Sequence, residues 1–360
     1  MSPQEPAKDY VWGKRKHNKW LYIGIGSAVI VAAVLGYVIF GLNIDNSNSN
    51  TNGSAATNDA SGAMARRVLD GVYVPAGQEN IYPIAVMIEN LTSSRPPSGL
   101  SQANVVYEAL AEGGITRFMA VYAQPLVAIA EIGPVRSARS YYVDWALEYK
   151  ALYVHVGGSP QALAQIKTDG VNDFSQFYHA PYFWRDSNRA APHNLYTSGE
   201  KMGIALVDQK MPATGEYVGW KFKNDASASS LPTDEKSIAI DFSSFNYKVE
   251  YKYDREKNDY VRYLAGQPHQ DKDGTGIRAK DVIVQKMKTS LIDSERLGME
   301  TIGSGEAVVF RDGQAVTGTW ERKTKADRTR FYDQGGAEIE LNAGPVWVEV
   351  VPTDRNIVYN

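Results

Sequence analysis

The chain of 360 residues contains no cysteine. Disulfide bonds, thiolate metal sites and a lipid-modified N-terminal cysteine are therefore excluded. The sequence also lacks the G-x-S-x-G turn, the G-x-x-x-x-G-K-[ST] loop, the H-E-x-x-H helix and the glycine pattern of dinucleotide-binding proteins. No internal repeat with a period of roughly 20–50 residues is visible. Because these signals are missing, the sequence names no reaction.

Charge is neither abundant nor strongly one-sided. Charged residues make up 22% of the chain, hydrophobic residues make up 43%, and the net charge is −3. This composition is typical of a globular protein, and no excess of basic residues indicates nucleic acid as a partner. No cofactor is predicted, since no cofactor-binding motif is present. The length favours two domains with additional segments.

One long run carries no charge at all: residues 21–42, LYIGIGSAVIVAAVLGYVIFGL. The run is long enough to cross a bilayer as a helix. Lysines and arginines precede it, and no further Lys or Arg follows it until Arg66. The positive-inside rule therefore predicts a single-pass transmembrane helix, with residues 1–20 in the cytoplasm and the remainder outside the cell. A cleaved signal peptide is the alternative, although no small-x-small cleavage site follows the run closely.

Composition divides the remainder of the chain into three segments. Residues 43–64 are mainly Asn, Ser, Thr, Gly and Ala, which predicts a flexible linker. Residues 65–222 alternate strand patterns with helix-start signals, which predicts a mixed α/β domain. After the linker NDASASSLPTDEK, residues 230–360 contain alternating runs and turn signals, which predicts a mostly antiparallel β domain. The expected fold class is α+β, preceded by the transmembrane helix.

Helix-start signals occur at three places in the first of these domains. Helical spacing resumes near Ser137 after a Gly-Pro pair. The Ser-Pro pair at 159–160 predicts an N-cap followed by a proline in the first helical position. Thr197 and Glu200 have the spacing of a capping box. We therefore expect a helix to begin at each of these positions.

Most of the candidate chemistry lies in and just after a predicted β-hairpin. Two runs rich in β-branched and aromatic residues, 105–112 and 115–123, are separated only by a Gly-Gly pair. This spacing predicts a two-residue primed turn. In the resulting register Glu108, Glu112 and Arg117 share one face of the hairpin. These three residues form either a cross-strand salt-bridge ladder or the wall of a polar pocket.

The motif GPVRSAR at 133–139 follows the hairpin and leads into a helix. Arg136 and Arg139 are expected beside the N-terminus of that helix, with Ser137 as its N-cap. Free N–H groups and the helix dipole favour an anion at such a position, and guanidinium groups add bidentate donors. The two arginines either bind an anion or pair internally with Glu108, Glu112 or Glu131.

Further candidates lie in irregular segments. Arg95 belongs to a loop rich in Pro, Ser and Gly, where it is either functional or merely solvated. Arg189 and His193 belong to a long aromatic and basic segment at 177–201, and a loop of this length is usually functional when it is ordered. Most isolated histidines are packed or surface residues, but the irregular loop makes His193 the preferred histidine for catalysis.

A loop of the second domain contains His269, Asp271 and Asp273. The spacing makes these residues weak candidates for metal ligands. Aspartate is frequent in loops because it stabilises turns, so no metal is predicted from this pattern alone.

Several motifs after residue 65 form a specific set. They are RPPSGLSQANVVYE (95–108), EGGITRF (112–118), GPVRSAR (133–139), VHVGGSP (154–160), APHNL (191–195), YLAGQPHQD (263–271) and AVVFRDGQAVTGTW (307–320). This set resembles the YerB-like family of predicted lipoproteins from Gram-positive bacteria, which have two modules of unknown function. The resemblance implies a two-domain extracytoplasmic envelope protein and supplies no reaction. Members of that family carry a lipobox cysteine, whereas this chain has none and has an apolar run instead.

Two functions are compatible with these residues. The first is a binding or scaffold protein at the outer face of the membrane, which holds an anionic wall component or a partner protein. The residues expected to bind are Arg95, Arg117, Arg136, Arg139 and Arg189. The second is an envelope hydrolase or transferase in which Glu108 or Glu112 acts with His193 as acid and base. Four positions along one strand separate two side chains by about 13 Å, more than the ~6.5–9.5 Å of inverting glycosidases, so the two glutamates are not expected to act as a pair.

Overall fold

The structure is a computed structural model that describes residues 63–360. The predicted cytoplasmic tail, the predicted transmembrane helix and all but the last two residues of the predicted linker lie outside the described residues. Between residues 63 and 360, no helix is both long enough and apolar enough to span a membrane. Residues 63–360 lie within one compact unit.

Residues 63–360 contain three α-helices: α1 (Ser140–Glu148), α2 (Pro160–Thr168) and α3 (Gly199–Asp208). The first strands are β1 (Met64–Arg66), β2 (Tyr73–Pro75), β3 (Ile84–Glu89), β4 (Val105–Leu110), β5 (Thr116–Tyr122), β6 (Leu152–His155), β7 (Asn172–Ser175), β8 (Trp184–Arg185), β9 (Leu195–Tyr196) and β10 (Phe222–Lys223). The next are β11 (Ser237–Asp241), β12 (Lys248–Asp254), β13 (Asp259–Leu264), β14 (Gln267–Pro268), β15 (Arg278–Ala279), β16 (Asp281–Met287), β17 (Thr289–Leu291) and β18 (Leu297–Met299). The last are β19 (Gly303–Arg311), β20 (Gln314–Arg322), β21 (Arg330–Asp333), β22 (Leu341–Asn342), β23 (Val346–Pro352) and β24 (Ile357–Tyr359).

A mixed ten-stranded sheet forms the centre of the structure. Its strand order is β21-β20-β19-β16-β23-β4-β5-β3-β6-β7. The pairs β16–β23, β23–β4, β3–β6 and β6–β7 are parallel, and the other pairs are antiparallel. Strands from both sides of the linker near residue 230 therefore share one sheet, joined where β4 lies beside β23.

The two faces of this sheet pack against different layers. One face covers a core that includes Tyr107, Met119 and the helix residues Trp145 and Ile166, so α1 and α2 lie on this side. The other face packs against α3 and against a second sheet of order β14-β13-β12-β11-β24, with β15 beside β13. Alternate residues of each central strand are buried on opposite faces, which explains why β3, β4 and β5 contain no exposed position.

The predicted α+β class is wrong, because the described residues are mostly β, with 40% strand and 15% helix. The three helices span only nine or ten residues each. Five strands that follow residue 230, namely β16, β19, β20, β21 and β23, extend the sheet that begins in the first segment. Partners in a sheet are chosen by long-range packing that no local pattern specifies, so the shared sheet could not be read from the periodicity.

The three predicted helix starts are each close to the observed ones. Ser159 caps α2, with its side chain accepting from Ala162 N at 3.2 Å, as the Ser-Pro pair predicts. The cap of α3 is Ser198 rather than Thr197, one position later than predicted. The cap of α1 is Arg139 rather than Ser137, because isolated bridges hold the preceding residues extended against β3 and against the turn after β6.

Candidate functional site

The carboxyl ends of four strands meet at one edge of the ten-stranded sheet. β3, β6 and β7 are parallel, and β4 runs in the same direction because β3 and β4 both pair antiparallel with β5. The motif at 133–139 crosses this edge, where Arg136 N donates to Met87 O at 2.8 Å and Ala138 N donates to Gly157 O at 3.0 Å. Open sheets with parallel strands commonly bind ligands outside these carboxyl ends.

Glu89, the last residue of β3, organises two of the predicted site residues. Its side chain is only 2% exposed, and its Oε2 accepts a hydrogen bond from Arg136 Nε. The same oxygen lies 3.0 Å from His193 Nδ1. Within residues 63–360, the two Nη atoms of Arg136 and the Nε2 of His193 form no hydrogen bond, and these side chains are 21% and 25% exposed. Glu89 therefore fixes the inner nitrogen of each side chain and leaves the outer nitrogens available.

Glu112 and Arg139 form a second ion pair at the same edge. Arg139 Nε donates to Glu112 Oε1, and Arg139 Nη2 donates to Glu112 Oε2 at 2.6 Å, so the pair is bidentate. The remaining Nη1 donates to Ala138 O at 2.7 Å. Because every nitrogen of Arg139 has a partner, Arg139 is less available to a ligand than Arg136.

Arg117 lies beneath both ion pairs, near the start of β5. It stands opposite Glu89 in the sheet, and its Nη1 donates to Ser137 O at 2.9 Å. Its Nη2 lies 3.9 Å from Glu112 Oε2. Arg117 Nε is buried and has no hydrogen-bond partner in the part of the chain that the structure describes. The guanidinium group of Arg117 is therefore only partly hydrogen-bonded, and its charge adds to the positive electrostatic potential at the edge.

We refer to six residues at this edge as the edge cluster: Glu89, Glu112, Arg117, Arg136, Arg139 and His193. Three guanidinium groups face two carboxylates, so a net positive charge remains even when the histidine is neutral. Burial acts to raise the pKa of Glu89, but Arg117 and Arg136 outweigh it and hold that pKa below its ordinary value. Burial is likewise outweighed at Glu112, whose pKa is lowered mainly by the hydrogen bond from Arg139. Both groups are therefore carboxylates near neutral pH, and neither is suited to act as a general acid.

The predicted hairpin is present, but its predicted turn is wrong. A 3-10 turn at 112–114 replaces the two-residue turn. A two-residue Gly-Gly turn would place Leu110 opposite Arg117, whereas Ala109 lies there in the structure. A shift of one residue moves alternate side chains to the other face of a sheet. Glu108 therefore points away from Arg117 and does not belong to the edge cluster.

Glu108 instead lies between the two sheets, where its side chain and that of Arg262 are 0% exposed. Arg262 Nη2 donates to Glu108 Oε2, and Arg262 Nε lies 3.7 Å from Oε1 of Glu349, which is beside Glu108 in the register. Arg262 also donates to Tyr251 Oη at 3.1 Å and to His269 Nδ1. We refer to these five residues as the interior cluster: Glu108, Tyr251, Arg262, His269 and Glu349.

Protonation balances the charge of the interior cluster. Burial, reinforced by the neighbouring Glu108, raises the pKa of Glu349 well above its ordinary value. Burial and the adjacent Arg262 hold the pKa of His269 well below its ordinary value. Glu349 therefore keeps its proton and His269 stays neutral near pH 7, so neither adds a charge beside the guanidinium group of Arg262. With no exposed atom, Glu108 does not contact a substrate in this arrangement.

Arg95 forms hydrogen bonds within its own loop, and Arg189 connects the loop between β8 and β9 to that loop. Arg95 Nε donates to Asn90 Oδ1 at 2.9 Å, and its Nη2 donates to Asn90 O at 3.1 Å. Arg189 Nη2 donates to Pro96 O at 2.9 Å, and its Nη1 donates to Ser94 O. Both guanidinium groups are thus engaged with backbone or amide oxygens, and the structure does not bring them into the edge cluster.

The three weak metal candidates have separate partners. His269 faces Arg262 in the interior cluster, and Asp271 accepts the backbone N–H of Leu100 at 3.1 Å. Asp273 accepts a backbone N–H within its own turn. In residues 63–360 no group of three or more His, Cys, Asp or Glu side chains is arranged to hold a metal ion.

Four residues of these clusters were not anticipated: Glu89, Tyr251, Arg262 and Glu349. Glu89 stands at the carboxyl end of the apolar run IAVMIE, a position that could have indicated a site. Glu349 interrupts the apolar run VWVEVV, and a single charge in such a run indicates a buried polar contact. Arg262 gives no such signal, because its alternating strand YVRYL is equally typical of a solvated face.

Two family models match this chain. One, described as "Protein of unknown function (DUF3048) N-terminal domain", matches residues 70–212, and its counterpart for the C-terminal domain matches residues 238–348. The chain belongs to the DUF3048 family. The resemblance drawn from the motifs is thereby confirmed, whereas the family description supplies no activity.

A curated relative and a solved structure agree with this assignment. The chain is 28% identical over 282 residues to the Bacillus subtilis (strain 168) protein named "Putative lipoprotein YerB", which covers 75% of this chain and 81% of the relative. It is also similar to a crystal structure of the YerB protein from Bacillus subtilis, with a TM-score of 0.73 and 27% identity. That similarity covers 82% of this chain and 99% of the crystallised chain. The shared fold thus includes both segments that form the ten-stranded sheet.

Proposed function

We propose that this chain is a membrane-anchored envelope protein whose edge cluster binds an anionic wall component or an acidic partner protein outside the cell. Two observations support the membrane attachment. The related Bacillus subtilis protein carries the name of a lipoprotein. This chain lacks the cysteine that a lipid anchor requires and has an uncharged run at 21–42 that suits a single-pass helix.

The proposal for binding rests on the nitrogens of Arg136 and His193 that point away from Glu89. Glu89 orients both side chains through their inner nitrogens, so their outer nitrogens are held in place before a ligand arrives. Preorganised donors bind more tightly because less side-chain entropy is lost on binding. The guanidinium excess of the edge cluster favours a negatively charged ligand, and a carboxylate or phosphate matches the two free Nη donors.

Binding of defined anions to the full-length chain in nanodiscs tests this function. The probes are muropeptides with free carboxylates and a glycerol-phosphate polymer. Arg136→Gln is expected to weaken binding by roughly tenfold to a hundredfold, since a hydrogen bond to a charged group contributes about 1.5–3 kcal/mol. Arg139→Gln removes the same charge from an arginine whose nitrogens are all engaged, so it is expected to weaken binding less.

Arg255→Gln is the matched control, because Arg255 is exposed and lies on the β12–β13 turn rather than at the edge. Binding is also expected to fall as salt rises from about 0.1 M to about 1 M, where the screening length shortens from ~10 Å to ~3 Å. Equal affinities for Arg136→Gln, Arg139→Gln and Arg255→Gln would remove the edge cluster from the proposed function.

A hydrolase or transferase is the second candidate, and the pairing of Glu89 with His193 favours it. A carboxylate that accepts from one imidazole nitrogen orients the ring and makes the other nitrogen a better base. In this alternative His193 Nε2 removes a proton from the attacking group, and Arg136 stabilises the developing negative charge. Mass spectrometry of muropeptides incubated with the protein tests it. Product formation that disappears in His193→Gln would favour the enzyme over the binding protein.

A further inference from the structure

The six-stranded sheet covers only part of the ten-stranded sheet. It ends at β24, which contacts β19 through the rings of Tyr359 and Phe310, 5.0 Å apart. Beyond β24 the same face of β19 and β20 is uncovered by residues 63–360. Thr317 and Thr319 on that face are exposed, and Val308 beside them is half-buried. A β-branched sheet face therefore lies open next to the end of the second sheet.

This arrangement creates a groove with a volume of about 710 Å³. Its floor includes Val308, Thr317 and Thr319, and Ile357 and Tyr359 of β24 line one side. The volume lies within the ~300–1,000 Å³ of typical binding pockets. Three charged residues line the groove: Lys286, Glu306 and Asp333. Lys286 Nζ lies 3.3 Å from Glu306 Oε2, so Asp333 is the one charge without an opposite partner in the lining. A groove of this kind favours an occupant without a high net charge.

The outer edge of β24 has unpaired backbone groups. On its inner side β24 pairs antiparallel with β11, and Asn360 N donates to Ser237 O at 3.4 Å. Because hydrogen-bonded positions alternate along an antiparallel pair, Val358 also faces β11, and Ile357 and Tyr359 direct their N–H and C=O groups outward. These outward groups have no hydrogen-bond partner among residues 63–360.

We propose that this groove binds an extended peptide segment of a partner protein, which adds to β24 as a further strand. A peptide backbone supplies one donor and one acceptor at the spacing that the outward groups of Ile357 and Tyr359 require. Alternate side chains of the bound strand then face the methyl groups of Val308, Thr317 and Thr319. The groove therefore selects small or β-branched residues at every second position and an uncharged central sequence.

The peptide groove is separate from the edge cluster. Five strand spacings lie between β19 and β3 in the sheet order, which is about 24 Å at ~4.8 Å per spacing. The proposal is therefore independent of the proposed anion binding, and variants of the two sites can be compared. Arg136→Gln is expected to leave peptide affinity unchanged, and a groove variant is expected to leave anion affinity unchanged.

The experiment selects random eight-residue peptides displayed on phage against the full-length chain in nanodiscs. Enriched peptides are synthesised and their affinities are measured. Ile357→Pro removes an outward N–H without touching a hydrogen bond to β11, and it is expected to weaken binding at least tenfold. Ile357→Ala is the matched control, because it shortens the same side chain and keeps the N–H. Thr319→Trp, at an exposed position on the floor, is expected to block the groove while the chain stays folded.

Amide hydrogen exchange locates the bound peptide. The amides of Ile357 and Tyr359 are expected to exchange fast in the free protein and slowly in the complex. The proposal is overturned if no peptide is enriched, or if enriched peptides bind Ile357→Pro and Thr319→Trp as well as the wild type. Slow exchange of both amides in the free protein would also overturn it, since another part of the chain or a second copy would then already pair with β24. Dimers that Ile357→Pro converts to monomers would identify that occupant as a second copy.

Discussion

The edge cluster and the interior cluster both combine Glu, Arg and His side chains, with a tyrosine added in the interior cluster, and they differ in burial. In the interior cluster the side chains of Glu108, Glu349 and Arg262 are 0% exposed. In the edge cluster Glu112 and Arg136 are 26% and 21% exposed. An ion pair removed from water carries a large desolvation cost, so a buried pair must be matched in both charge and geometry. A partly exposed cluster tolerates an excess charge, and only the exposed cluster offers that charge to a ligand.

The two clusters reach their charge states in opposite ways. The interior cluster has two carboxyl groups for one guanidinium group, and the raised pKa of Glu349 removes the surplus negative charge. The edge cluster has three guanidinium groups for two carboxylates, and the lowered pKa values of Glu89 and Glu112 keep both carboxylates ionised. The interior cluster therefore joins the two sheets, whereas the edge cluster keeps a positive field at the surface.

Arg262→Met provides the largest test of this difference. The substitution leaves Glu108 buried without its partner, and breaking a buried pair from one side costs about 3–5 kcal/mol. Arg139→Met makes the same change at the edge, where an exposed ion pair contributes only about 0–1 kcal/mol. Urea denaturation at pH 7 measures both free energies of unfolding. If both variants lose the same free energy of unfolding, the interior cluster is not more important for stability than the edge cluster.

Glu89→Gln is expected to have the next largest effect, about 1–3 kcal/mol at pH 7, because it weakens charged hydrogen bonds to Arg136 and His193. The folded pKa of Glu89 is lowered, so its contribution is present above the unfolded pKa and is lost as the pH falls through the folded pKa. The difference in unfolding free energy between wild type and variant is therefore expected to shrink in acid. A difference that stays constant from neutral pH down to about pH 3 would show that charge is not its cause.

The sequence indicated the edge cluster better than the interior cluster for a physical reason. Arg136, Arg139 and Glu112 lie in two short motifs close together in the chain, so local turn signals sufficed to bring them near one another. Arg139 pairs with Glu112, one of the predicted partners, whereas Arg136 pairs with Glu89, and anion binding at either arginine stays a prediction. Glu108 and Arg262 are 154 positions apart, and their contact depends on how the two sheets stack. No periodicity specifies that stacking.

The fold was predictable in its local elements and not in its assembly. The hairpin, the alternating strands after residue 230 and the three helix starts follow from turn residues and periodicity. The predicted register of the hairpin is wrong because the turn at 112–114 contains three residues, one more than a two-residue primed turn. The sharing of one ten-stranded sheet by the two segments could not be predicted, because β4 and β23 are paired by packing across the whole chain.

Glu349→Gln is expected to have a smaller effect at neutral pH than Glu89→Gln, and one with the opposite dependence on pH. The folded pKa of Glu349 is raised, so wild-type stability is full below the unfolded pKa and falls as the pH rises toward the folded pKa. Glutamine has nearly the shape of the protonated carboxyl group of Glu349, but it does not titrate. The variant is therefore expected to gain at least ~1 kcal/mol relative to wild type between pH 5 and pH 8, since one pKa unit corresponds to about 1.4 kcal/mol. Unfolding free energies that run parallel across this range would rule out a retained proton on Glu349.

Arg139→Lys is the smallest change and isolates geometry from charge at the edge. Lysine keeps the positive charge but cannot form the two parallel hydrogen bonds that Arg139 makes to Glu112. The expected loss is about 0.5 kcal/mol, because both side chains are partly exposed and solvent screens the pair.

Thermal unfolding of Arg139→Lys and Arg139→Gln in low salt and in about 1 M salt separates the contribution of hydrogen-bond geometry from that of charge. If geometry is responsible, the loss in Arg139→Lys persists in high salt and approaches that of Arg139→Gln. If charge is responsible, Arg139→Lys matches the wild type in low salt, and the edge cluster then acts only through its net positive field.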